Sequence, residues 1–334
     1  MGFIVTQSGE IKTGLDDLKD RALKAIYKIK MKMGRYFQKY VKTTLKLFDT
    51  LVTPILLYAS DFWGCLKQPI NNPIENTHNR FLKELIGVQR QTSNTGVLLE
   101  TGRVPMHLLA KKYCLKNWVR IAKSRSANYL LTLSYDNSLK HNLTWPTSVK
   151  NIFSKVGQFD LFLTNEISRK PPNEQFFKRA CDIFHQESFA EIHREESKLR
   201  TFAKLKSKIG MENYLVDISN IEDRISLTKI RLSNHKLNIE VGRHNKIQKS
   251  ERFCPFCPTL IEDEMHFLLL CPTYSTNRTE LFEELNITNI QNIDQESLFV
   301  FLMTSSDTTH ITARFLKTAI HIREFLVKKF RNDL

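Results

Sequence analysis

Between Cys254 and Cys271, eighteen residues hold three of the chain's six cysteines and one of its ten histidines, spaced Cys254-x2-Cys257-x8-His266-x4-Cys271. No other stretch restricts the fold so tightly. A C-x2-C pair closes a tight turn that aims two sulfurs at one point, and a His and a Cys about ten residues on complete a tetrahedron of the ligands zinc prefers. The spacing predicts a short helix carrying His266 that ends before Cys271. Five residues separate the two by about 140° on a helical face, and Pro272 stops the helix. Zinc is the expected cofactor. Three Cys and one His fill its four positions, so the expected role is structural, and structural zinc supplies on the order of 10–16 kcal/mol to so small a module. The competing reading is that Phe267, Leu268, Leu269 and Leu270 draw plain cysteines into a core beside a surface histidine. Cys65, Cys114 and Cys181 lie on helix-like segments and read as small core residues. His193 and Glu195 make an H-x-E, which zinc deaminases pair with P-C-x-x-C, but in this chain the C-x-x-C lies roughly sixty residues on. Here Phe253 precedes the C-x-x-C, and His193 and Glu195 read instead as the solvated face of a charged helix.

Charge narrows the partner. Fifty Lys and Arg against thirty-five Asp and Glu give +15 over 334 residues, which favours a polyanion because each cation that reaches a phosphate releases a counterion. The 41% hydrophobic content argues against disorder throughout. The start lacks a basic then apolar leader, and the longest apolar run, Leu51 to Ala59, is too short to span a bilayer. No membrane partner and a nuclear or cytoplasmic location are expected, where reducing conditions favour metal ligation over disulfides.

The positive charge is concentrated. Lys19, Arg21, Lys24, Lys28, Lys30, Lys32, Arg35, Lys39, Lys42 and Lys46 are opposed only by Asp20, with Tyr27, Tyr36, Phe37 and Tyr40 interleaved. Cations that track a phosphate backbone beside rings that stack on unpaired bases suit nucleic acid. Lys24, Lys28, Lys30, Lys32, Arg35, Lys39 and Lys42 are therefore candidate contacts, with Phe37 and at least one tyrosine expected in the core. A second basic group, Arg224, Lys229, Arg231, Lys236, Arg243, Lys246, Lys249 and Arg252, leads into the cysteine cluster and adds Arg231 and Arg243 as candidates. Glu262, Asp263 and Glu264 make the cluster's own loop acidic, so phosphates are expected at its flanks.

Periodicity predicts a mainly α chain. Residues 1–13 read as a small hairpin about Ser8-Gly9. Residues 14–130 read as a helical unit. Its first stripe is Leu15, Leu18, Ala22, Ala25, Ile26, Ile29 and Met33. The second runs through Val41, Leu45, Phe48, Val52 and Ile55 with a kink at Pro54. A third helix follows from about Ile74 through Phe81, Leu82 and Leu85 to Gly87, and a fourth starts at Pro105. Residues 131–222 read as an irregular linker, turn-rich to 172 at Asn137, Asn142, Pro146, Gly157, Pro171 and Pro172, with a long charged helix from Glu174 to about Lys208. The basic segment and cysteine cluster occupy 223–275. Helices return over 276–334, striped by Ile311, Phe315, Ala319, Ile322 and Phe325/Leu326.

Five segments then carry a resemblance: "LFDTLVTPILLYASDFWG" (Leu47–Gly64), "IENTHNRFLKELIGV" (Ile74–Val88), "LLETGRVPM" (Leu98–Met106), "KIRLSNHKLNIEVGR" (Lys229–Arg243) and the Cys254–Tyr274 knuckle. In this order the chain resembles the region downstream of the polymerase core in non-LTR (LINE-type) retrotransposon reverse transcriptases, and "MGFIVTQSGEI" looks like that family's palm hairpin. The resemblance thins between about 130 and 220. It implies a thumb-like helical bundle gripping template–primer duplex, a linker, a CCHC knuckle on template RNA or target DNA, and C-terminal helices. A complete reverse transcriptase acting in trans is a further implied partner. The family's aromatic-Ala-Asp-Asp strand is missing. Asp16-Asp17, the one Asp-Asp pair, sits in the first turn of an amphipathic helix. The expectation is a carboxyl-terminal fragment, not an enzyme by itself and without catalytic residues, in which Met1 is an internal residue of a longer parent. A zinc-stabilised helical module that docks a protein and does not bind nucleic acid is the alternative.

Overall fold

The computed structural model describes residues 2–124, 129–155, 157, 159–164, 172–288 and 293–332. The chain is mainly α, and among the described residues its strands are the short antiparallel pair Phe253–Cys254 and Cys257–Ile261. It divides into two compact units, each assembled from three separate pieces. One comprises Met1–Gly34, Leu45–Phe81 and Val104–Ser188; the other comprises Arg35–Thr44, Leu82–Arg103 and Phe189–Leu334.

In the first unit, helix Lys12–Met33 buries Gly14, Leu15, Leu18, Ala22, Ile26 and Ile29, a stripe at steps of three and four. It stops at Gly34, whose φ of 49° suits a residue without Cβ and whose N–H bonds Lys30 O at 2.8 Å. Gly14 is needed for a different reason: a Cβ there would run into the Ile4 carbonyl and the Phe3 ring. The expected hairpin over 1–13 does not form. Among residues 2–11 there is no strand; Gly9 N–H closes on Thr6 O at 2.9 Å and Glu10 N–H donates to Thr6 Oγ1 at 3.0 Å. The Ser8-Gly9 turn is thus closed by both the main chain and the side chain of Thr6. Phe3 is drawn to Trp63, with ring centroids 6.4 Å apart, instead of into a ladder.

The kink at Pro54 takes a defined form. The wide π-turn Phe48–Val52 precedes Thr53–Leu56, which makes room for a ring that would otherwise collide with the carbonyl four residues back. Phe48 packs on Phe81 at 4.3 Å between centroids. Helix Met106–Lys123 starts after Pro105, which stands just outside it. Glu75 takes the place of a cap: its carboxylate accepts Met106 N–H at 3.1 Å, His107 N–H at 2.6 Å and His107 Nδ1 at 2.8 Å.

The same unit overturns the linker expected from residue 131. Helices Tyr129–Lys140, Thr144–Lys155 and Phe159–Thr164 occupy it. Buried Val149, Ile152, Phe153 and Phe162 join Leu115 and Trp118 in one core. Trp118 meets Phe153 edge-on at 4.8 Å, and its indole N–H donates to Tyr135 OH at 2.9 Å. The residues that suggest loops are helix punctuation. Asn142 and Gly157 take φ of 50° and 66° between helices, and Pro146 lies in a first turn where its missing N–H costs nothing. Pro171 is outside the described residues. The expected helix Glu174 to Lys208 is also divided, into Pro172–Ile192 and Arg200–Leu205; His193 and Glu195 are exposed in the break between them.

The second unit centres on helix Ile221–Arg231 and the final helix Thr309–Asn332. Asn220 caps the former, its side chain accepting from Glu222 N–H at 3.0 Å and Asp223 N–H at 3.2 Å. Along the final helix Ile311, Phe315 and Ala319 are buried as the stripe predicts. One turn on the pattern inverts, with Arg323 buried and Phe325 exposed.

Candidate metal centre

The second unit brings together the four residues that the spacing picks out. The strand pair sets Cys254 opposite Cys257. A π-turn, His266–Leu270, presents His266, and Cys271 follows it in extended conformation, its N–H bonding His266 O at 2.8 Å. The helix therefore ends before Cys271, as expected from the angular argument. Asp263 Oδ1 accepts His266 N–H at 2.7 Å and caps that turn. Cys254 and Cys271 sulfurs lie 3.9 Å apart and Cys257 and Cys271 sulfurs 3.8 Å apart, well beyond a disulfide bond of about 2.05 Å. All four ligand atoms fall within 4.8 Å of one another, so the group can hold a metal ion.

Two features fit a metal in particular. His266 is buried, yet neither ring nitrogen has a hydrogen-bond partner, a cost that folded proteins rarely leave unmet. The sulfurs also differ in acidity. The hydrogen bond from Cys254 draws the Cys271 thiol strongly downward, and the same contact pushes Cys254 upward. Burial raises Cys257. A thiolate is thus favoured at Cys271, beside the buried imidazole of His266.

The surroundings fix this loop through ion pairs that local sequence does not reveal. Arg278 donates to Leu268 O at 2.8 Å and to Cys271 O at 2.7 Å. Glu262 receives Arg323 and the Asn238 N–H. Glu264 receives Arg200 at 2.7 and 2.8 Å and His235 at 2.9 Å, while Arg200 also reaches Glu240 at 2.7 Å. The acidic loop expected to repel phosphates is corrected accordingly: Glu262 and Glu264 are buried and neutralised. Arg200, His235, Glu240 and Arg323 are the residues that sequence reasoning missed. The one signal for them is Arg323 interrupting an apolar stripe.

The candidate phosphate contacts separate into two classes. Lys24, Lys28 and Lys32, four residues apart on one helix, are exposed, as are Arg35, Lys39 and Lys42; Lys30 is half-buried. Arg231 is a correction. Its side chain is fully buried, held by Glu100 at 2.7 Å, Glu212 at 2.9 Å and Met303 O at 2.9 Å, and no phosphate can reach it. Arg243 is half-buried and bonded to Glu240 at 3.0 Å. Arg224 and Arg252 are likewise turned inward: Arg224 bonds three main-chain carbonyls, and Arg252 lies against Gly242 and donates to Ile239 O at 2.9 Å. Phe37 is buried as expected, but the expected core tyrosine is not found. Tyr27, Tyr36 and Tyr40 are 63%, 40% and 49% exposed. Among the other cysteines, Cys114 is buried, while Cys65 and Cys181 are half-buried.

Among the described residues no helix is long and apolar enough to cross a membrane. No protein-family model matches the chain, no curated protein matches it, and no solved structure matches it.

Proposed function

We propose that the chain is a zinc-stabilised nucleic-acid-binding protein, the carboxyl-terminal part of a non-LTR retrotransposon reverse transcriptase, catalytically silent by itself. The observation that carries the nucleic-acid reading is the stretch 21–48. It contains no carboxylate, and it exposes Lys24, Lys28, Lys32, Arg35, Lys39 and Lys42 together with three tyrosines. Exposed cations neutralise phosphates, and exposed rings stack on bases.

Zinc is supported by the sulfur geometry. Tetrahedral zinc with Zn–S bonds of about 2.3 Å has S···S edges of about 3.8 Å, against the observed 3.8 and 3.9 Å. Cys254, Cys257, His266 and Cys271 would hold it. Four protein ligands leave no position for water or substrate, so the metal would cross-link the loop and supply no chemistry. Asp16 and Asp17 bridge to Lys19 and Arg21 on their own helix, which supports reading them as helix electrostatics and not as a polymerase metal site. The family assignment rests on the order of the quoted segments.

The test has two parts. Elemental analysis of the purified chain should give one zinc, lost in Cys257→Ser. Binding to RNA should weaken steeply with added salt. Binding that ignores salt, or metal-dependent nucleotide incorporation by the isolated chain, would overturn the proposal; salt-independent capture of a protein would favour the interaction module.

A further inference from the structure

Residues 35–44 combine a buried underside with an aromatic outer face. Phe37 is buried, Thr44 Oγ1 donates to Phe37 O at 2.8 Å, and Gln38 Nε2 donates to Glu84 O at 2.8 Å. The buried Arg224 guanidinium donates to Gln38 O and to Lys39 O. On the outside, one helical turn apart, Tyr36 and Tyr40 stack with centroids 5.6 Å apart and planes inclined by 25°. Each ring carries its own cation: Arg35 lies 5.1 Å from the Tyr36 centroid and bonds its hydroxyl at 3.0 Å, and Lys39 lies 5.7 Å from the Tyr40 centroid. Lys42 is exposed on the same short segment.

We infer that the Tyr36–Tyr40 pair is a stacking platform for unpaired bases, with Arg35, Lys39 and Lys42 meeting the adjoining phosphates, so that the preferred ligand is single-stranded nucleic acid. The inference rests on the nucleic-acid reading above and narrows it. A duplex hides its base faces and presents phosphates and groove edges, for which exposed rings offer little. An unpaired strand offers π-faces that stack without regard to sequence. Exposed tyrosines lose solvent and rotamer freedom on binding, but this pair is already ordered by mutual stacking and by a segment pinned from below, which lowers that cost. The absence of any carboxylate from 21 to 48 matches a polyanion.

The experiment uses the full chain and a labelled oligouridine of about 12 nucleotides, a length within the footprint of single-strand-binding surfaces. A duplex of equal length is the second probe, in buffers of increasing salt. Tyr36→Ala and Tyr40→Ala should each weaken oligouridine binding on the order of ten-fold, leave duplex binding and the salt slope in place, and melt like the native chain. Tyr36→Phe together with Tyr40→Phe keeps the π-faces and should retain single-strand binding. Alanine variants that bind oligouridine as the native chain does would overturn the platform while salt-dependent native binding upholds the broader reading. Equal losses on duplex would also overturn it, as would displacement of oligouridine by polyglutamate as readily as by unlabelled oligouridine. A native chain that binds neither probe removes both readings together.

Discussion

Arg323 grips Glu262 through two parallel hydrogen bonds, Nε to Oε1 at 2.6 Å and a terminal nitrogen to Oε2 at 2.7 Å, with both side chains out of water. The pair ties the final helix to the residue that follows the strand Cys257–Ile261, between two of the metal-ligand candidates. Removing one member leaves the other buried and uncompensated, which costs about 3–5 kcal/mol. Arg323→Ala should therefore lower the urea midpoint by a corresponding amount. The double change Arg323→Met with Glu262→Leu should recover much of the loss, because an apolar pair of similar volume avoids desolvating charge. A midpoint unchanged in Arg323→Ala would mean that water reaches the pair.

Glu75 makes a pH prediction. Burial alone would raise its pKa, but the hydrogen bond and charge of His107 and the main-chain donors outweigh it and hold the carboxyl below its ordinary 4.5. For a carboxyl depressed on folding, the stabilisation is present above the ordinary value and is lost as pH falls through the lower folded value. Glu75→Gln should cost about 1–3 kcal/mol near neutral pH, since it weakens the cap on helix Met106–Lys123. Its deficit relative to the native chain should shrink below pH 4.5. Urea titrations at a series of acidic pH values measure that difference, and a deficit constant down to the acid limit would refute the assignment.

Arg231 separates structural from ligand-facing charge. It sits fully buried against Glu100 and Glu212. Arg231→Ala should destabilise the chain by about 3–5 kcal/mol while leaving the salt dependence of RNA binding by the folded fraction unaltered. A reduced salt slope in a variant of native stability would return Arg231 to the list of phosphate contacts.

This residue also shows why the sequence was only partly legible. Periodicity scores each residue by its own hydropathy, and it located the stripe Leu15, Leu18, Ala22, Ile26 and Ile29 because apolar burial is a property of the residue. Burial of Arg231 depends instead on Glu100, 131 positions away, and that of Arg323 on Glu262, 61 positions away. Nothing local marks either pair beyond the break that Arg323 makes in its apolar stripe. Residues 131–164 were hidden for the opposite reason: Asn142, Pro146 and Gly157 are local signals of turns, and they do make turns or a first helical turn, but between helices that share the Trp118 core. The metal group was legible because ligand chemistry and spacing are both local. The discontinuous units were not, since a chain crossing between cores leaves no mark in composition.

Chelation should act locally before it acts globally. With a metal cross-linking Cys254, Cys257, His266 and Cys271, the Cys271 N–H bonded to His266 O should be well protected from hydrogen exchange. A strong chelator should collapse protection over 253–274 first, while amides around Trp118 keep theirs. Simultaneous loss everywhere would show that the metal holds the whole chain, and no change would show that the loop stands without it.

The exposed row Lys24, Lys28 and Lys32 carries the last prediction. These side chains lie four residues apart on helix Lys12–Met33, beginning one turn after Asp20 and away from the buried stripe. Replacing all three with Glu changes no core contact, so stability should stay within about 0.5 kcal/mol of native for each change. If each lysine meets one phosphate of a single strand, the slope of log affinity against log salt should become shallower by about 0.7 per residue, roughly two in all. Affinity should fall at low salt and converge on the native value as salt rises, because screening removes from the native chain what the substitutions remove from the variant. A slope equal to the native one would place the phosphates elsewhere, and a parallel drop at every salt concentration would point to a lost non-ionic contact.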